Sequence, residues 1–237
     1  MKPDTSPQAD LPACAECSLP RRRRACLAEG GTGPAGCPTL HAPELAAEVE
    51  RAYQDPDLRE FARQASIQEA ACYANRHQRP YRLQPTKTRI LEIAEFARRM
   101  GYHRLGLAFC IGLGREAALA ARIFRAQGLE VASVVCKAGR ASKERVLGLD
   151  DRDKVYQGTD ESACNPLLQA RLLERAGVQL HVLLGLCVGH DSLFIRQATA
   201  PVTVLAVKDR VTGHNPLAAL YTSETYYQRL MHPAREE

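Results

Sequence analysis

The chain lacks most of the features that would place it at a glance. No apolar run approaches the ~20 residues that a membrane-crossing helix needs, and the opening stretch MKPDTSPQAD has no apolar core of a secretory leader. A soluble, cytoplasmic protein with no membrane partner is expected. Charge of one sign is nowhere concentrated. The 32 Lys and Arg against 27 Asp and Glu give a net charge of +5, and residues 1–40, 41–100 and 101–237 contribute +1, +1 and +3 of it. A basic nucleic-acid-binding arm is therefore excluded. No internal repeat is visible, and a 45% apolar content suffices to bury a core.

Cysteine, by contrast, is plentiful. There are nine, an odd number, with no leader to send the chain to an oxidising compartment. Thiols kept reduced serve as ligands or nucleophiles rather than as a disulfide framework. Four of them, Cys14, Cys17, Cys26 and Cys37, fall in a Gly- and Pro-containing segment, residues 1–40, with almost no large apolar side chains. Such a segment cannot fold by burial alone, and four thiolates on one metal would staple it into a knuckle. Cys14-x2-Cys17 is a chelating pair, since two intervening residues let both sulfurs reach one ion. The later spacings match neither a standard zinc finger nor a ferredoxin run, so zinc and an iron–sulfur cluster both fit, with Cys37-Pro38 leaning toward the cluster.

Residues 41–100 read as a helical segment. Asp55-Pro56 opens a helix expected over about 56–75, and a second begins near Thr86 or Thr88 and stops at Gly101. After Gly101 the pattern becomes short apolar runs separated by helix signals, which predicts an α/β domain over 101–221 followed by a tail, residues 222–237. Strands are expected at Leu105–Cys110, Val131–Cys136, Leu180–Cys187 and Val202–Lys208. Helices are expected at Arg115–Gln127, from Asn165-Pro166 to Ala176, and briefly at 191–198. The predicted fold class is a three-layer, open, mostly parallel sheet, Rossmann-like or flavodoxin-like.

Three of the remaining cysteines, Cys110, Cys136 and Cys187, then end predicted parallel strands, and Cys164 precedes a helix start. All four fall at the carboxyl edge, where open parallel sheets bind ligands. Polar residues accompany them. Gly112 and Gly114 lead into a helix whose free N–H groups, with Arg115, suit an anion. Lys137 follows Cys136, Gly189-His190-Asp191-Ser192 follows Cys187, and Lys208-Asp209-Arg210 ends the last strand. The crossover 138–163 is longer than usual for such folds, which marks a lid or binding loop.

The string from Gly101 to Leu113, together with Cys164-Asn165-Pro166, the run from Gly185 to Ser192, Lys208-Asp209-Arg210 and Gly213-His214-Asn215-Pro216, resembles the DUF1847 family of uncharacterised bacterial and archaeal proteins. The resemblance runs from Cys14 to about Tyr221 and implies metal binding without an established reaction. The arginine run between Cys17 and Cys26 departs from the family spacing at Cys26. One functional expectation is an enzyme of redox or sulfur chemistry, in which Cys110, Cys136, Cys164 and Cys187 hold an iron–sulfur cluster and Lys137, His190 and Lys208 orient a small anionic substrate. A second is a metal-binding or redox-sensing protein without turnover. A third is a cysteine hydrolase or transferase using Cys187, His190 and Asp191. Residues three and four apart do not readily form that relay.

Overall fold

The computed structural model describes residues 11–233; the leader reading of MKPDTSPQAD and the last four residues of the expected tail lie outside them. Two compact units divide between Arg63 and Gln64, inside a helix rather than at residue 40 or 100. In the first unit the helices α1 (Pro38–His41) and α2 (Pro43–Ala52) follow 3-10 turns at Cys14–Glu16 and Arg21–Arg23. Proline opens both helices, where its missing N–H costs nothing. Among residues 11–63 only Gly36 is buried, so this unit has no apolar core of its own.

Helix α3 (Pro56–Ala71) runs across the division, and α4 (Arg89–Arg99) is closed through Met100 by Gly101 at φ +68°. Next come β1 (Arg104–Phe109), α5 (Gly114–Ala126), β2 (Glu130–Val135), α6 (Lys143–Leu147), α7 (Pro166–Arg175), β3 (Leu180–Leu186), α8 (His190–Gln197), β4 (Val202–Val207) and α9 (Leu217–Tyr221). The fold is α/β with an all-parallel four-stranded sheet in the order β2-β1-β3-β4. Apolar runs become strands here because the central strands are covered on both sides: β3 is buried throughout, and β1 everywhere except at its ends. Phe124, Leu105, Leu107 and Val182 share one apolar cluster with Ile93 and Ala97 of α4. Phe194, Leu173, Leu183 and Ala170 form a second cluster with Cys136.

Each strand ends one residue earlier than the apolar pattern predicts. Cys110, Cys136, Cys187 and Lys208 are thus the first residues beyond the ladder, where side chains are released from strand alternation. The order reverses at β1, with β2 on one side and β3 on the other, which opens a crevice between the carboxyl ends of β1 and β3. β3 also carries an irregularity: its register with β4 shifts around Gly185, whose φ is +67°. Such bulges re-aim the residues that follow.

Candidate functional site: a thiol cluster at the carboxyl edge

Three strand-to-helix transitions build the site. The register that pairs Phe109 with Val135 continues one step, as the Cys136 N–H donates to the Phe109 carbonyl at 2.8 Å. Cys110 and Cys136 therefore stand side by side where β1 and β2 end. A 3-10 turn, Ile111–Leu113, follows Cys110, and the Ile111 N–H donates to Cys136 Sγ at 3.3 Å. Beneath them Gln169 of α7, fully buried, donates to the carbonyls of Phe109 and Val134 at 3.2 and 2.8 Å and clamps the two strand ends together.

Cys164 arrives from the long crossover. The Asn165 N–H donates to the Cys136 carbonyl at 2.7 Å, and the Asn165 side chain caps α7 by accepting from the Leu168 N–H at 3.0 Å. The crossover charges that precede Cys164 pair with one another. Lys154 lies between Glu144 and Asp151, and these contacts hold the Glu144 carboxyl down at about 2. Glu161 accepts from Lys143 at 2.9 Å and from the Val155 N–H at 3.0 Å. Lys137 donates to the Ser162 carbonyl and faces Glu161 at 3.8 Å. Charge that reads as loop polarity thus fixes the approach of Cys164.

Cys136, His190 and the Lys137 charge stand near Cys164 and draw its thiol below the usual range. Cys136 moves the other way: the neighbouring Cys164, burial and Cys110 keep it protonated. The thiol that ionises more readily thus neighbours one that holds its proton.

Of the four sheet-edge cysteines expected to converge, Cys110, Cys136 and Cys164 pack together. Cys187 bonds differently, its Sγ accepting from Arg210 Nη2 at 3.3 Å. His190 opens α8, its N–H donating to the Cys187 carbonyl at 3.0 Å and its side chain near Cys164, while Asp191 accepts from the Ser192 N–H at 2.7 Å. Lys208 flanks Gly112: a Cβ at residue 112 would stand 3.5 Å from Lys208 Nζ and 3.9 Å from Cys110 Sγ. Gly114 has open space above it, and Arg115 is exposed at the start of α5. Gln169 and Glu161 are the contributors that sequence reasoning missed. A lone glutamine on the apolar face of α7 was the available signal for the first.

In the first unit, the Cys17 N–H donates to the Cys14 carbonyl at 3.3 Å, closing the Cys-x2-Cys turn. Arg24 donates to the Leu19 and Cys17 carbonyls at 2.7 and 3.0 Å, so one residue of the arginine run is a local brace. Cys14, Cys17, Cys26 and Cys37 are free thiols, exposed or half-exposed. Their chemistry suits zinc or an iron–sulfur cluster. Among the described residues, however, no group of three or more His, Cys, Asp or Glu side chains is gathered as a coordination sphere.

The family described as "Protein of unknown function (DUF1847)" matches residues 37–205. This chain belongs to the DUF1847 family. A relative, the uncharacterised protein MJ0455 of Methanocaldococcus jannaschii, is 42% identical over 149 residues, covering 61% of this chain and 72% of its own length. The DUF1847 match takes in Cys110, Cys136, Cys164 and His190 but leaves out Cys14, Cys17 and Cys26, and it stops short of Lys208 and Arg210. The thiol cluster is thus within the shared region, and three of the four N-terminal thiols lie before it. Among the described residues no helix is long and apolar enough to cross a membrane.

Proposed function

We propose that this DUF1847 protein is a cytoplasmic thiol-dependent redox enzyme whose reactive pair is Cys164 and Cys136. The observation that carries the reading is the packing of Cys110, Cys136 and Cys164 on one cluster at the carboxyl edge, with backbone bonds on either side of Cys136 that bring the start of the Cys110 turn and the residue after Cys164 to it. A thiolate beside a protonated, buried thiol is the arrangement that thiol–disulfide exchange uses. The thiolate attacks one sulfur of a disulfide and expels the other as a thiolate. The second thiol then attacks the resulting mixed disulfide, its proton leaving with the released thiol. The substrate is a small anionic disulfide, because the Lys208 ammonium and Cys110 Sγ both stand within 4 Å of where a Cβ of residue 112 would lie. A flavodoxin-like, three-layer arrangement suits this site, since ligands of open parallel sheets bind at the carboxyl edge. A dithiol is favoured over an iron–sulfur cluster at these residues because Cys187, the fourth expected ligand, is bonded to Arg210.

Treating the anaerobically reduced protein with glutathione disulfide and mapping its peptides tests the reading. A Cys136–Cys164 disulfide is expected. Oxidation confined to Cys14, Cys17, Cys26 and Cys37 would reject it.

A second reading concerns the first unit, where the lack of any buried apolar side chain among residues 11–63 favours a metal staple. Cys14, Cys17, Cys26 and Cys37 would hold the ion, which would order the segment and take no part in the thiol exchange. Zinc titration is expected to load one ion per chain, and Cys14→Ser or Cys17→Ser to lower that stoichiometry along with solubility. Unchanged zinc content in both variants would remove the staple.

A further inference from the structure

We propose that Cys110 is a third reactive thiol, which takes the disulfide over from Cys136 and hands it to an anionic thiol held by Lys208. The inference rests on the Cys164–Cys136 pair proposed above and adds a second exit from it. Cys136 is the middle member of the cluster. Its side chain is 3% exposed, whereas Cys110 and Cys164 are each partly exposed and pack against the same cluster. Cys110 and Cys136 occupy matching positions just past two hydrogen-bonded parallel strands. That is a backbone separation within the span a disulfide bridges. The buried thiol thus has one reachable neighbour on either side.

The balance is complete once a disulfide, RSSR, is the oxidant. The Cys164 thiolate attacks RSSR, forming Cys164–S–S–R and releasing RS⁻. Cys136 attacks the Cys164 sulfur of that bond and releases RSH, so the pair is oxidised and RSSR reduced by two electrons. Cys110 then attacks Cys136 Sγ, gives up its proton to solvent, and expels Cys164 as the thiolate. The collecting thiol, R′SH, then attacks Cys110 Sγ, Cys136 leaves with its proton, and a second R′SH cleaves the Cys110–S–S–R′ bond, so R′SSR′ is formed and both cysteines return as thiols.

Lys208 defines what collects it. Among the described residues its ammonium has no ion-pair partner, and a Cβ at residue 112 would stand 3.5 Å from it and 3.9 Å from Cys110 Sγ. Gly112 lies in a 3-10 turn that any L-residue can adopt, so the missing side chain there serves space rather than backbone conformation. A thiol carrying a carboxylate places its charge on Lys208 and its sulfur against Cys110.

Mapping disulfides at successive times after one equivalent of glutathione disulfide tests the relay. The expected order is Cys136–Cys164 first and Cys110–Cys136 later, with Cys110→Ser arrested at Cys136–Cys164. Oxidised wild-type protein is expected to regain its thiols several-fold faster with glutathione than with neutral 2-mercaptoethanol at equal thiolate concentration, and Lys208→Gln to abolish that preference. A Cys136–Cys164 disulfide that never passes to Cys110, or equal rates with the two thiols in the wild type, would overturn the relay while leaving the pair intact. Absence of any Cys136–Cys164 disulfide would overturn both.

Discussion

Replacing Cys164 with serine is expected to lower the rate of reaction with glutathione disulfide at pH 7 by at least about 10³-fold, the scale on which loss of an activated nucleophile is felt. The sulfur that its neighbours favour as an anion is the sulfur that attacks. A serine hydroxyl in its place stays protonated, and the neighbouring Cys136 is held as a thiol by burial and by Cys110. Cys136→Ser has a different expected outcome. Attack by Cys164 survives, nothing resolves the product, and a stable adduct of glutathione on Cys164 accumulates, which intact-mass measurement detects. Both variants reacting at the wild-type rate would place the chemistry elsewhere.

Gly185→Ala is expected to destabilise the second unit by about 3 kcal/mol, from a left-handed backbone that costs an L-residue ~1–2 kcal/mol and overpacking that costs ~1–3 kcal/mol. Gly185 sits in the register shift of β3 at φ +67°, and a Cβ there would meet Leu113 Cδ2 at 2.8 Å. Leu113 is buried and belongs to the turn whose Ile111 N–H donates to Cys136. The strain is therefore delivered to the site as well as to the sheet. Urea unfolding should show the lowered midpoint, and resolution of the mixed disulfide should slow. Gly148→Ala is the control: φ is +66° but nothing lies within 4 Å of the added Cβ, so only the backbone cost of about 1 kcal/mol is expected. Equal losses in the two variants would contradict the role given to Leu113.

Much of the sheet was legible because buried parallel strands are written as uninterrupted apolar runs between helix caps. Gly101, Gly128 and Gly177, all at positive φ, end helices where the sequence places those ends. The strand ends shifted by one residue because apolar character persists past the last paired residue: Cys110 and Cys136 are still packed though no longer counted in the strands. The gathering of Cys110, Cys136 and Cys164 was legible from topology, since strand ends and helix starts share one edge. Which sulfur is activated was not. His190 is three residues from Cys187 in sequence and 26 from Cys164, and its choice of the distant partner depends on the start of α8 and the bulge at Gly185, neither of which the apolar pattern encodes. The crossover hid its order in the same way. Lys143, Lys154, Glu144 and Glu161 read as solvated charges and prove to be paired with one another.

The alkylation rate of Cys164 as a function of pH, followed residue by residue by mass spectrometry with iodoacetamide, tests most directly whether this sulfur is the activated one. Its rate is expected to reach half-maximum well below the pH at which a free thiol does and to be flat through neutrality, because its neighbours favour the thiolate. A rate that instead rises through about pH 8.5, as for a free thiol, would contradict the activation on which the proposed chemistry depends.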